Sequence, residues 1–259
     1  MNQTKNGLWN SPLLRSQVTS EDVRPPEMLF GYLIGPFGAL LASGIFTSQL
    51  QNYLTNVLKL DLGFLTTLQL LSTILIVAAN LVVGQLIERT RTLAGKARPW
   101  ILLSALTLSV ASVLMFIVPF ADRTARMVWI AIAYNAYYAV GFPIYNTANS
   151  TLVPVSTRNS KQRSTLASLT NIASLGVMGV GSMIFPTLVS MALKEDQHLW
   201  FVAMLGVAIF TALTILLQFR FTRERVTEES AGAEKAEKSS ASLGEQVKAV
   251  TSEKSWWLA

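Results

Sequence analysis

The chain has 259 residues and a mass of 28.4 kDa; it is 51% hydrophobic, only 14% charged, and contains no cysteine and one histidine. A soluble domain is about 25% charged, so this chain has too few charges to coat a soluble surface, and its mean hydropathy of +0.41 agrees. Most soluble enzymes are thereby excluded, as are disulfide frameworks and thiolate metal sites; the net charge of +6 reads as topological information on a membrane protein rather than as a nucleic-acid signal.

Residues 1–27 are polar, with Lys5, Arg15, Arg24 and the pair Pro25-Pro26. No apolar core closely follows the first charges and no small-residue cleavage site appears, so the segment reads as a cytoplasmic tail and not as a signal peptide. Six apolar stretches follow, at 28–50, 63–87, 99–120, 127–155, 166–193 and 199–221. Each is long enough for a helix to cross a hydrocarbon core about 30 Å thick, and none shows the ten-residue alternation of a barrel strand. The expected fold is an all-α membrane protein, a bundle of six transmembrane helices over 28–221. Beyond it, 222–259 reads as a cytoplasmic linker, rich in Glu, Lys, Ala, Ser and Gly at 228–242. It leads to the start of a surface helix, with Leu243, Val247 and Val250 at helical spacing ahead of Trp256-Trp257-Leu258. Trp favours the membrane interface; a frayed tail is the alternative.

Placing the N-terminus in the cytoplasm puts 17 of the 21 Lys and Arg on that side and leaves Lys59, Arg123, Arg126 and Lys194 on the other. The positive-inside rule then sets both termini in the cytoplasm of a multi-pass cell-membrane protein.

The acidic residues fall in tails, in loops or, for Glu88, at an inner helix end, and no Lys, Arg or His lies mid-membrane. Intramembrane ionisable groups mark proton relays and ion pathways, so their absence bears on any coupling mechanism. It also removes the base or activated nucleophile that a membrane enzyme needs. The chain is expected not to be an enzyme: no catalytic residue and no metal site is assigned, Ser104, Ser109 and Ser112 read as helix-packing residues, and His198 beside Asp196 reads as an exposed loop histidine.

Amides, hydroxyls and aromatics remain inside the spans. On the fourth, Asn135, Tyr138, Phe142, Asn146 and Asn149 recur at steps of three and four, the spacing of one helical face. The second carries Thr66, Gln69, Thr73, Ile76 and Asn80; the first Tyr32, Ser43, Thr47 and Gln49; the fifth Asn171 and Ser174. An unpaired amide in hydrocarbon costs several kcal/mol, so these groups either bond between helices or line a wet cavity. A cavity of amides and tyrosine rings suits a neutral, hydroxyl-rich solute; Tyr32, Gln49, Thr73, Asn80, Tyr138, Asn146, Asn149 and Asn171 are its candidate lining, and periodicity leaves both readings open. Small residues at Gly31, Gly35, Gly38 and Gly44, and at Gly176, Gly179 and Gly181, predict close helix packing. Pro36, Pro119, Pro143, Pro154 and Pro186 mark expected kinks.

The segment between the second and third spans reads Gly84-Gln-Leu-Ile-Glu88-Arg89-Thr-Arg91-Thr-Leu-Ala-Gly95-Lys96-Ala-Arg98-Pro99-Trp100. It resembles the signature of the glycoside–pentoside–hexuronide:cation symporters, a branch of the major facilitator superfamily. That signature is Asp-Arg-Thr, a few residues, then Gly-Lys-x-Arg-Pro and an aromatic. Thr151-Leu152-Val153-Pro154, followed by Arg163, adds to the likeness. The resemblance implies a twelve-helix sugar carrier of two six-helix halves, each a 3+3 inverted repeat, working by alternating access. This chain corresponds to the N-terminal half. The resemblance also implies a cytoplasmic gate at Arg89, Arg91, Gly95, Lys96, Arg98 and Arg163, whose charges would pair with carboxylates or helix C-termini of other loops.

Coupling to Na+ or H+ is implied by the same resemblance, but the positions matching the family's charged residues are neutral: Ile76, Asn80, Leu40, Asn146 and Asn171. No cofactor is assigned, and uniport or a different coupling is left open. The expected partners are the lipid bilayer, a small solute of the sugar class, and a second six-helix half or a second copy of the chain, with no nucleic acid. The alternative from another class is a truncated or scaffold protein that carries nothing itself.

Overall fold

The computed structural model describes residues 16–193 and 195–227. The linker and surface helix expected at 228–259 lie outside the described residues. Among the described residues six long helices run in chain order: α1 (Pro25–Val57), α2 (Leu62–Arg89), α3 (Arg98–Leu114), α4 (Arg123–Ser156), α5 (Ser160–Leu193) and α6 (Gln197–Arg220). All but α3 are long and apolar enough to cross a membrane, and α3 is apolar over 17 residues.

Four helices start on a side-chain cap, which satisfies N–H groups that the first turn leaves unpaired. Asp61 accepts from Phe64 N at 3.2 Å and Asp122 from Ala125 N at 2.8 Å. Asn159 accepts from Lys161 and Gln162, and Asp196 from His198 and Leu199. The third span ends at Leu114, six residues before the expected 120. The Trp129 indole of α4 donates to the carbonyls of Leu114 and Ile117, drawing on groups the last turn leaves free.

Four π turns interrupt the long helices, at Met28–Leu33, Tyr53–Val57, Ala136–Gly141 and Val189–Leu193. Three of them lie within three residues of Pro36, Pro143 or Pro186, whose missing N–H breaks the regular ladder. Pro119 stands outside any helix.

α1 packs on α5 and α6, α3 on α6 and α4, and α2 on α4. Where α1 meets α6, glycine permits backbone contact: a Cβ on Gly31 would stand 2.6 Å from the Phe221 carbonyl oxygen, and one on Gly35 2.6 Å from Gln218 Cβ. At Gly38 the Thr211 backbone fills the same space, Thr211 Oγ1 donates to Gly38 O at 3.0 Å, and Gly38 N donates to Thr214 Oγ1 at 3.1 Å. On α5 only Gly181 packs closely, against Leu41; nothing described lies within 4 Å of a Cβ on Gly176 or Gly179. Away from that seam, Phe46, Tyr53, Phe116, Tyr137 and Trp200 form an aromatic core, with Phe46 and Tyr137 4.2 Å apart between centroids.

The helix ends gather into two groups. Residues 16–24, the α2–α3 loop, the end of α4 and the segment after α6 meet at one end, called here the tail side. At the other, Lys59 pairs with Glu195 at 3.0 Å and Arg126 donates to the carbonyls of Leu58 and Phe120.

Candidate substrate path and gate

The eight side chains expected to line a path do not share one environment. Tyr32, Gln49 and Asn149 are buried, Asn80 and Tyr138 half-buried, and Thr73, Asn146 and Asn171 exposed. The stripe expected along α4 is split by the π turn at Ala136–Gly141. The additional residue rotates everything after it by about 100° relative to a straight helix. Asn135, before the turn, is half-buried; beyond it Asn146 is exposed and Asn149, three residues on, is buried.

The buried members are bonded within the bundle. Gln218 of α6 donates through Nε2 to Asn149 Oδ1 at 2.7 Å and accepts at Oε1 from the Tyr145 hydroxyl at 3.3 Å. Gln49 accepts from Asn52 at 3.2 Å. The Tyr32 hydroxyl bonds Ser156 Oγ, joining the start of α1 to the end of α4. The Asn149 and Tyr32 bonds run between helices, and the Gln49 bond stays within α1.

Thr73 Oγ1 donates to Gln69 O and Asn80 Nδ2 to Ile76 O, each 2.8 Å away in its own helix. The side-chain amides of Asn146 and Asn171 bond no described residue, and both residues are exposed. Within a span, each such amide needs water or another polar surface. That requirement separates them from Asn149. The helices α2 and α5 are peripheral: 17% of the apolar window of α2 and 25% of that of α5 is buried, against 61% for α1.

The gate candidates divide similarly. Arg89 is exposed and Lys96 half-buried. Arg91 donates to Glu88 O at 2.9 Å and Arg163 to Thr157 O at 3.1 Å, so each caps the C-terminal end of a helix beside it. Arg98 is buried; it donates to Phe219 O at 3.0 Å and to Ala94 O at 3.3 Å, and its guanidinium lies 4.6 Å from the Phe219 ring centroid. It thus anchors α3 to the end of α6 inside the bundle. Gly95 holds φ +103°, a backbone conformation open to glycine at little cost.

Two buried acids and one arginine, read from the sequence as parts of tails, organise this end. Glu224, 1% exposed, accepts from the backbone N–H groups of Lys96, Ala97 and Arg98, each at 2.8 Å. Arg225 forms a two-pronged pair with Glu27, at 2.7 and 3.0 Å, and also donates to the carbonyls of Ser20, Asp22 and Ser156. One signal was available in the sequence. α3 begins after Ala97, which has no side chain to cap it, so its first N–H groups had to find an acceptor elsewhere.

Residues 31–259 match the family model for MFS/sugar transport proteins. Among curated proteins, the chain is 26% identical over 218 residues to the isoprimeverose transporter of Lactiplantibacillus pentosus, covering 82% of this chain and 44% of that protein. It is 25% identical over 217 residues to the uncharacterized symporter YjmB of Bacillus subtilis, covering 81% of this chain and 45% of the relative. It is 28% identical over 177 residues to the putative glycoside/cation symporter YagG of Escherichia coli, covering 68% and 38% respectively. The chain spans less than half the length of these relatives.

Proposed function

The chain belongs to the MFS/sugar transport protein family, a family of membrane transporters and not of enzymes, and on that premise we propose that it forms one six-helix half of a carrier for sugars or glycosides. The observation that carries this reading is the match over 31–259 together with relatives named as transporters and symporters of this class. α3 serves as the sixth crossing; its 17 residues span about 26 Å at 1.5 Å per residue, and Met115–Phe116 extend the apolar stretch. A 3+3 repeat is supported by the pattern of packing. Exchanging α1, α2 and α3 for α4, α5 and α6 turns the α1–α5 contact into α4–α2 and the α1–α6 contact into α4–α3, and returns α3–α6 to itself. The charge asymmetry supports a cytoplasmic tail side and a cell-membrane location.

Asn146 and Asn171 are the leading substrate-path residues, with Thr73, Asn80 and Tyr138 beside them. Their unpaired or outward amides suit sugar hydroxyls, whereas Tyr32, Gln49 and Asn149 hold the frame. Arg89, Lys96 and Glu88 present charge on the tail side without a partner among the described residues, which suits a gate against a second bundle. With Ile76 and Asn80 at the positions of the ion-binding carboxylates, and Leu40, Asn146 and Asn171 neutral as well, uniport or coupling through the other bundle takes the place of Na+ or H+ coupling through a carboxylate pair on α2. The second bundle is either a further half or another copy of this chain, and the unpaired amides on the exposed faces favour one of these over a scaffold that carries nothing.

Uptake of labelled isoprimeverose and a panel of glycosides into vesicles containing this chain tests the reading, with the mass of the solubilised protein giving the assembly. Saturable uptake is expected from an assembly of two bundles. Robust insertion with no uptake by any such assembly would overturn the carrier reading.

A further inference from the structure

Glu224 and Arg225 are neighbours in sequence, yet they are bonded to different parts of the molecule. The Glu224 carboxylate reaches the N-terminus of α3 and accepts three N–H bonds there, with Thr227 Oγ1 donating to it at 3.0 Å. Arg225 binds Glu27 at the start of α1, two carbonyls of the segment before it, and the last turn of α4. All three charged groups are buried, at 1% exposure for Glu27 and Glu224 and 7% for Arg225.

Burial of a charge is tolerated only where bonds replace its hydration, and here they do so on both sides. The positive end of a helix dipole and three free N–H groups form an anion seat, and the seat is filled by the chain's own carboxylate. Gly95 is shaped to admit it: the Glu224 carboxyl occupies the space where any Cβ at 95 would stand. The α2–α3 loop, which carries Arg91 and Lys96, is therefore held from the segment that follows α6, some 126 residues away.

We propose that Glu224 and Arg225 are positioning residues forming a two-way clamp: Glu224 fixes the α2–α3 loop, Arg225 fixes the ends of α1 and α4, and the residues following α6 thereby set the geometry of the tail-side gate. Its consequence for transport rests on the carrier reading above; the clamp itself does not. Glu224 joins the α2–α3 loop to the segment after α6 beside the Arg98–Phe219 contact, and the loop loosens when that carboxylate leaves its seat.

The absence of native cysteine makes the test clean. Ala94 is 7% exposed in the clamped loop, while its neighbour Leu93 is 71% exposed. In the full chain, Ala94→Cys should react slowly with a maleimide. Adding Glu224→Gln should accelerate it roughly tenfold, the scale of one lost charge-assisted hydrogen bond. Leu93→Cys should react equally fast in both backgrounds, and Glu224→Asp should restore part of the protection. If Glu224→Gln fails to fold, Thr227→Val carries the test, since it withdraws one donor and should speed Ala94→Cys labelling by about two- to threefold. Unchanged protection of Ala94→Cys in the folded variants overturns the clamp. Where uptake is measurable, Glu224→Gln should lower its maximal rate and leave half-saturation unchanged. Accelerated labelling without any uptake would leave the clamp standing and count against the carrier reading; uptake with unaltered labelling would do the reverse.

Discussion

Gln218 and Asn149 share a 2.7 Å hydrogen bond between α6 and α4, and both side chains are buried. The second oxygen of this network is engaged as well, since Gln218 Oε1 accepts from Tyr145. Interhelical bonds of this type average about 0.6 kcal/mol and reach about 1.7. A double-mutant cycle of Asn149→Ala and Gln218→Ala, followed by reversible unfolding in detergent, should return a coupling energy in that range. A coupling near zero would show that the two amides do not stabilise the contact.

The neighbouring amide predicts the opposite pattern. Asn146 is exposed and its side-chain amide bonds no described residue, so Asn146→Ala should leave the unfolding midpoint within about 0.5 kcal/mol of the parent, as for a surface position. Uptake should nevertheless fall at limiting sugar, because a sugar hydroxyl that has lost its amide partner binds more weakly by about 1 kcal/mol, several-fold in affinity. Equal loss of uptake from Asn146→Ala and Asn149→Ala would erase the distinction between path and frame.

Much of this architecture was legible in the sequence, for identifiable reasons. The apolar spans stand out because the bilayer demands length and composition together. The end of α3 was not legible, because the group that takes its carbonyls is Trp129 of the next helix. Counting in threes and fours along α4 assumes a regular helix, and a π turn at Ala136–Gly141 shifts Asn135 against Asn146 and Asn149; the different burial of Asn146 and Asn149, both beyond the turn, is set by what packs on each. Glu27, Glu224 and Arg225 looked like tail charges. Their burial arises from contacts across about 70 to 200 residues, which no local pattern encodes.

Glycines on the two faces should respond differently to the same change. Gly38→Ala places a methyl against the Thr211 backbone, which cannot rotate away, so overpacking of about 1–3 kcal/mol is expected. Gly176 has open space around it within α5, and Gly176→Ala should be neutral or stabilising by up to about 1 kcal/mol through helix propensity. Thermal unfolding of the two variants in one detergent decides the matter; a destabilised Gly176→Ala would reveal a surface that packs closely on α5.

Topology makes a prediction independent of stability. Leu93 lies on the tail side and is exposed, and the Lys59–Glu195 pair lies at the other end with side chains 66% and 71% exposed. A membrane-impermeant maleimide added outside intact cells should label Glu195→Cys and spare Leu93→Cys, with the pattern reversed in inverted vesicles. Labelling of Leu93→Cys from outside would invert the orientation drawn from the positive-inside rule.

The Glu27–Arg225 pair sets the largest single stability effect expected outside the apolar core. Its two bonds are 2.7 and 3.0 Å long, both side chains are buried, and Arg225 also satisfies carbonyls at Ser20, Asp22 and Ser156. Arg225→Ala would strand a buried carboxylate and withdraw the Arg225 bond from Ser156 O, while Ser20 O keeps Arg223 and Asp22 O keeps Ser20 Oγ, a loss of about 3–5 kcal/mol. Glu27→Gln retains an acceptor for one guanidinium nitrogen and removes the charge, so it should cost less. Combining Arg225→Met with Glu27→Met should also cost less than Arg225→Ala alone, because neither charge is then left unpaired in the interior. If the double replacement proves worse than the single one, the stability lies in the carbonyl bonds of Arg225 and not in its pairing with Glu27.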